Sequence, residues 1–364
     1  MELAAILNQY RNQVLSDPRV QRSATAKEQK HALHAIISCR TAACGEIQVF
    51  CPDCRETYWF AHSCGNRSCP KCQHHETSRW LQRQLQKQLP TDYFLVTFTL
   101  PAELRALARR FPKDIYNLLF SAASQSLQQA ASNPKFFGGV IGFTGVLHTH
   151  SRRLDYHPHV HFVVPGVAYR PDQGLCIHCR DRYLIPERVL NRLFRGKFLF
   201  GLSQLSLSFD AALYQKDWVV DCLFSGKGES ALKYLSRYLY RGVISEKNII
   251  EYREGNITFR YRDSKTQKWQ LRTLPGAEFA RTVLQHTLPK GFRRVRDYGF
   301  LHGNAKRTLI RMQLLLKPNL QVQSLPQRPA FKCPCCGKPA VILAVGVFRS
   351  KLKIRIRSPP PTAG

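Results

Sequence analysis

Along the 364 residues the apolar positions change period several times, and each change predicts a different element. Residues 1–38 read as one or two polar helices, broken at Asp17-Pro18. His74–Leu89 is another polar helix. The character then shifts: Tyr93–Leu100, YFLVTFTL, is a continuous apolar run of the length of a buried strand. After Pro101 a helical span runs to about Ser132, interrupted near Phe111-Pro112. Gly138–His148 and Tyr156–Val164 read as strands, and the short loop between them predicts an antiparallel hairpin. Residues 167–186 read as a loop, Leu184–Leu205 as a helix and Trp218–Phe224 as a strand. A helix from about Glu229 stops at Gly242. Asn248–Leu271 gives two or three amphipathic strands turning at Glu254-Gly255-Asn256, followed by a helix over Pro275–Thr287. Gly291–Phe300 reads as a basic, aromatic-laced strand and Asn304–Leu316 as a basic helix. A Pro-containing linker (Gln321–Pro329), a small Cys knuckle (Cys333–Pro339), a basic strand and a tail from Ser358 complete the chain. Strand, helix, strand, strand is the start of an α+β sandwich, an antiparallel sheet with helices on one face. The expected units are residues 1–89, 90–325 and 326–364.

Charge adds a partner. The chain has 55 Lys+Arg against 24 Asp+Glu, a net charge of +31. That excess favours a polyanion, nucleic acid before membrane, because no segment is an amphipathic anchor or a spanning run. The start lacks a basic segment followed by an apolar one, so a soluble cytoplasmic protein is expected.

The cysteines add metal. Seven of the 13 fall within Cys39–Cys72, mostly as C-x2-C pairs, which in a reducing compartment points to zinc thiolates. The pairs Cys51/Cys54 and Cys69/Cys72 have the spacing of one four-thiolate zinc site. Cys39, Cys64, Cys44, His31, His34 and His62 are surplus candidates for a second. Arg40, Arg55, Arg67, Lys71 and Arg79 surround the knuckles, which suggests a zinc-scaffolded grip on DNA, a purely structural zinc module being the plainer reading. Cys176/Cys179 is a lone pair with only two ligands, and Cys333, Cys335 and Cys336 form a further knuckle.

Chemistry concentrates in DYHPHVHFVVPG, Asp155–Gly166. His157, His159 and His161 alternate along a strand, so all three imidazoles leave one face while Val160, Phe162 and Val164 leave the other. One histidine there would be a packed or solvated side chain; three at period two form a metal platform. A third ligand is not fixed by the pattern: His157 is well aimed and His148 is nearby. In SGKGESALKYLSRYLYRG, residues 225–242, Tyr234, Tyr238 and Arg241 stand at i, i+4 and i+7 of a helix, though aromatics at that spacing more often fill a core.

Together the histidine strand and the tyrosine helix resemble the HUH endonucleases, here through His159-Val160-His161. CRTAACG, SCGNRSCPKCQ, HPHVHFVVPG, RLFRGKF, YLSRY and LPKGFRRVRDYGFL occur in one order, across roughly Leu33–Leu316. That order resembles the two-tyrosine rolling-circle transposases of the insertion-sequence-91 family, with their N-terminal zinc-binding domain. The resemblance implies an HUH core with His159 and His161 holding catalytic Mg²⁺ or Mn²⁺ beside structural Zn²⁺; His157 is the third ligand expected from the strand face, an acidic or amide residue elsewhere being another option. It implies Tyr234 and Tyr238 as nucleophiles that nick single-stranded DNA at transposon ends and targets and transfer the strand through 5′-phosphotyrosine. Arg237 or Arg241 would clamp phosphate. With no Walker-type sequence, unwinding would fall to a host helicase or to superhelicity, in a nucleoid-associated setting. Two other readings compete: a zinc-dependent DNA-binding protein without nuclease activity, and a three-histidine zinc hydrolase that gives the paired phenols no task.

Overall fold

The computed structural model describes residues 2–180, 182–239, 243–263, 266–316 and 331–347. For residues 73–77, 79, 231, 234, 235 and 237–239 it describes the backbone alone. The central sheet has five strands, all antiparallel, in the spatial order Val295–Tyr298, Phe143–His150, Tyr156–Pro165, Asp92–Thr99, Val220–Lys227. The histidine strand Tyr156–Pro165 is in the middle. Its alternation separates the two faces, as the sequence predicts.

One face is the main core. Val160, Phe162 and Val164 join Phe94, Val96, Phe98 and Leu147 beneath the helices Pro112–Ser132 and Glu187–Gln204. Phe162 meets the Phe98 and Phe143 rings edge-on at 5.8 and 5.0 Å. Gly145 makes this approach possible, since a Cβ there would lie 2.5 Å from the Phe162 ring. Truncating such a fully buried ring costs about 3–5 kcal/mol. Pro112 starts the long helix at its first position, which explains the interruption read from the sequence.

The other face carries the histidines. Away from them it is covered by a shorter helix pair: Trp80 of Gln73–Gln86 and Leu232 of Gly228–Leu239 pack on Tyr93, Leu95, Val146 and Val163. The two long helices thus share one face, and this pair roofs part of the second.

Two arrangements depart from the expected division of the chain. The N-terminal helices Leu3–Gln9, Arg11–Ser16 and Ala26–Ser38 build a second core with residues far along the sequence. Leu7, Leu33 and Ile36 pack with Ile257 and Phe259 of a three-stranded sheet (Ile249–Arg253, Asn256–Arg262, Trp269–Pro275) and with Phe279 and Val283 of the helix Gly276–Leu284. The C-terminal segment also folds back. Pro339–Val347 pairs antiparallel with Glu46–Cys51, opposing Ile342 to Val49, to form a four-stranded sheet with Phe331–Lys332 and Glu56–Ala61. The knuckle at residues 333–339 therefore belongs to the same small sheet as the N-terminal knuckle. Residues 167–186, read as a loop, contain the hairpin strands Val167–Arg170 and Leu175–His178. Four residues between short strands, with Gly174 at φ +65°, escape a periodicity test that needs longer runs.

Candidate functional site

Adjacent strands of the central sheet place the histidines. In the hairpin register His148 lies directly opposite His159, and Val146 opposite His161. The ligand nitrogens of His148, His159 and His161 all lie within 4.8 Å of one another, and all three residues are buried. Burial holds His159 down at about 4 and keeps His148 and His161 well below the usual histidine range, so the rings are neutral and their lone pairs stay available. The rings are also oriented. His159 Nδ1 donates to the His157 carbonyl at 2.6 Å, which leaves Nε2 as its ligand atom. His161 Nδ1 meets Thr97 Oγ1 at 2.8 Å. Buried, neutral, hydrogen-bonded imidazoles are the donor set a divalent transition ion takes.

His157 takes a different place from the one expected. Its ring centroid is 5.2 Å from that of His159, but its Nδ1 accepts from Arg105 Nη2 at 2.7 Å, and it stands outside the cluster. The third imidazole is His148. The signal for it was the hairpin register, which a sequence gives only once the turn length is known.

Tyr234, Tyr238 and Arg237 lie on the helix Gly228–Leu239, whose Leu232 shares an apolar cluster with Val163, two residues from His161 on the same strand face. The side chains of these three residues, and Arg241 entirely, lie outside the described residues. Glu229 in the first turn pairs with Lys233 at 2.5 Å.

The thiols divide differently from the sequence reading. Cys39, Cys64, Cys69 and Cys72 form one group, and Cys51, Cys54, Cys333 and Cys336 another. Cys51/Cys54 and Cys69/Cys72 are thus not one site, because the first pair sits on the hairpin of the small sheet and the second at the start of the helix Gln73–Gln86. Sγ–Sγ separations are 3.6 Å (Cys39–Cys72), 3.7 Å (Cys64–Cys72), 3.6 Å (Cys51–Cys336) and 3.9 Å (Cys54–Cys333). A tetrahedral zinc with Zn–S bonds of about 2.3 Å has an edge of about 3.8 Å, so both groups fit zinc. Burial, with the neighbouring thiols, pushes Cys69 up to about 12 and Cys64 further. So many thiolates share this space only where a dication neutralises them. Of the surplus candidates, Cys39 and Cys64 fall within the first thiol group. Cys44, His31, His34 and His62 stand outside both groups, His34 beside Arg11 and His62 against the Ser63 carbonyl.

Two families of known proteins match this chain: one described as "Putative transposase" over residues 142–308, and one described as "Transposase zinc-binding domain" over residues 6–100. "Putative transposase y4qJ" of Sinorhizobium fredii is 35% identical over 362 residues, spanning 89% of this chain and 91% of the relative. The "Transposase for insertion sequence element IS801" of Pseudomonas savastanoi pv. phaseolicola is 30% identical over 341 residues, spanning 85% of this chain and 82% of the relative. The chain belongs to the insertion-sequence-91 family of transposases. Solved structures of the conjugative relaxase TrwC with DNA are also similar, at 14% and 15% identity with TM-scores of 0.26 and 0.27. They span 61% of the transposase chain and 73% and 69% of theirs.

Within the transposase, two basic residues expected at DNA are engaged internally. Arg67, between Cys64 and Cys69, donates to the carbonyls of Phe292 (2.8 Å), Leu288 (2.8 Å) and Pro289 (2.6 Å). Lys71 pairs with Glu2 at 2.8 Å. Arg67 thereby ties the first thiol group to the turn that leads into Arg294, whose Nε donates to the Leu147 carbonyl beside His148. Arg105, Arg67 and Arg294 are contributions that no spacing rule exposes. No helix among the transposase's described residues is long and apolar enough to cross a membrane.

Proposed function

We propose that this transposase nicks single-stranded DNA at the ends of a rolling-circle element and transfers the strand through 5′-phosphotyrosine links. The observation carrying this reading is the buried His148–His159–His161 cluster on the sheet face against which the helix of Tyr234 and Tyr238 packs. A divalent cation, Mn²⁺ or Mg²⁺, bound by these three residues supplies Lewis acidity at the scissile phosphate. Three nitrogen donors favour Mn²⁺ over Mg²⁺, which prefers oxygen.

The chain's own residues do the rest. His157 and Thr97 fix the His159 and His161 rings through the hydrogen bonds above. The phenol oxygen of Tyr234 or Tyr238 attacks phosphorus. The bond to the 3′ oxygen breaks, that oxygen takes up a proton, and the phenol proton passes to solvent. The 5′-phosphate stays on the tyrosine, so the bond energy is kept for rejoining. Two tyrosines one helical turn apart hold two such links, one for donor and one for target. Arg237 and Arg241 contact phosphate. The two zinc modules scaffold DNA recognition, and a host helicase or superhelicity opens the duplex in the bacterial cytoplasm, at the nucleoid. A DNA-binding protein without nuclease activity would give the buried histidine cluster no task.

The test is denaturing electrophoresis of protein incubated with labelled single-stranded element-end DNA and Mn²⁺. A labelled, SDS-resistant band at the protein's size, absent in Tyr234→Phe/Tyr238→Phe, supports the reading. Cleavage without an adduct would replace it with metal-hydroxide hydrolysis, and binding without cleavage would leave a DNA-binding protein.

A further inference from the structure

The outer face of the three-stranded sheet points to a second contact with nucleic acid, away from the histidines. Its strands Asn256–Arg262 and Trp269–Pro275 oppose Arg262 to Trp269, Arg260 to Leu271 and Thr258 to Thr273. The inward positions Ile257 and Phe259 fill the second core, so these opposed pairs face outward. Trp269 is 58% exposed and Leu271 65% exposed, an unusual placement for two large apolar side chains on one small face. The Arg260 guanidinium lies 4.9 Å from the Trp269 ring centroid. Arg152 adds a cation at the edge of this sheet, reaching the Arg262 carbonyl at 3.5 Å.

The sheet is anchored to the site through its opposite, inward face, where Arg272 opposes Phe259. Arg272, from the same sheet, pairs with Asp155 at 2.8 Å and also donates to the Arg153 carbonyl. Ser151–Asp155 is the turn joining the strand of His148 to the strand of His159. An exposed indole flanked by guanidinium groups offers a nucleobase a stacking surface and its phosphates a cation; a duplex, whose bases are already stacked, gains only the cation.

We propose that Trp269, with Arg260 and Arg262, forms a stacking platform for unpaired bases of the DNA strand that flanks the cleavage site. The proposal rests on the single-stranded-DNA reading above, and its test separates the two. Fluorescence anisotropy would be measured with the full-length zinc-loaded protein, without Mn²⁺ or Mg²⁺. The probes are a labelled oligothymidylate of about 20 nucleotides and the same strand annealed to oligoadenylate. Trp269→Ala is expected to weaken single-strand binding about tenfold, to leave duplex binding unchanged and to keep the salt dependence, whereas Trp269→Phe retains most of the affinity. Arg260→Ala/Arg262→Ala is expected to lower the slope of log affinity against log salt by about 1.4. Unchanged single-strand affinity in Trp269→Ala, or equal losses on single strand and duplex, would overturn the platform. If wild-type protein binds neither probe, the single-stranded-DNA reading itself fails.

Discussion

Cys51 and Cys336 bring their sulfurs to 3.6 Å across 285 residues of sequence. With Cys54 and Cys333 they make a four-thiol group whose halves come from opposite regions of the chain, while Cys39, Cys64, Cys69 and Cys72 make a local one. The expected stoichiometry is therefore two zinc ions per chain. Cys336→Ser and Cys51→Ser should each lose one zinc, the double substitution no more than one, and Cys69→Ser the other. Metal analysis of the purified variants checks this. Wild-type protein with a single zinc, lost in both Cys51→Ser and Cys69→Ser, would restore the single-site pairing.

The catalytic cation gives a second prediction. His148→Ala should weaken Mn²⁺ binding at least about tenfold, and Thr97→Val by about tenfold through loss of ring orientation. His157→Ala should have less effect than His148→Ala, because the His157 ring accepts from Arg105 and the backbone carbonyl that orients His159 is kept in the variant. Mn²⁺ titration followed by electron paramagnetic resonance reads all three. A stronger loss in His157→Ala would return that residue to the ligand set.

Arg67 links the local thiol group to the turn before Arg294 through three carbonyl contacts. Arg67→Ala should lower unfolding free energy by about 3 kcal/mol, because charged hydrogen bonds are lost and half-buried carbonyls are left unmet. Lys at this position cannot reproduce the fork and should recover little. Urea denaturation of the zinc-loaded protein decides it.

Acid sensitivity follows from His286. This buried ring donates from Nε2 to the Leu154 carbonyl at 3.1 Å, and burial holds it down at about 4 from an ordinary 6.5. Below pH about 6.5 the unfolded chain takes up a proton that the folded chain refuses. Stability should therefore fall as pH drops from about 6.5 towards about 4, by up to about 1.4 kcal/mol per pH unit from this one group. His286→Gln should show a shallower decline than wild type between pH about 7 and 5.5. Parallel declines would mean the ring titrates normally in the fold.

The elements with long, uniform periods were legible before any coordinates: the buried strand near Tyr93, the histidine strand, the Pro112 break and the Glu254-Gly255 turn, where both residues have positive φ (50° and 79°). Local spacing also identified Cys39 and Cys64 as zinc candidates. What failed to show was every relationship set by distant pairing. Cys51/Cys54 offer the same C-x2-C whether their partners lie at 69/72 or at 333/336, and only the strand pairing of Pro339–Val347 with Glu46–Cys51 decides between them. Likewise Leu7 and Leu33 look like one side of a local helix pair, yet the surface they bury comes from Ile257, Phe259 and Phe279. The choice between His157 and His148 as third histidine stayed open for a related reason: His148 and His159 become neighbours only through hairpin register.

The shared sheet of the two knuckles also sets an order of maturation during synthesis. Cys51 and Cys54 leave the ribosome early but wait for Cys336, 285 residues behind Cys51, which at about 5–20 residues per second is roughly a quarter of a minute to a minute. The local group at Cys39–Cys72 can take its metal long before that. A chain released anywhere between Cys72 and Cys333 would carry a finished first zinc site and half of a second. The group that opens at Cys51 is therefore the last of the two to close, and its completion requires the chain to be made through Cys336.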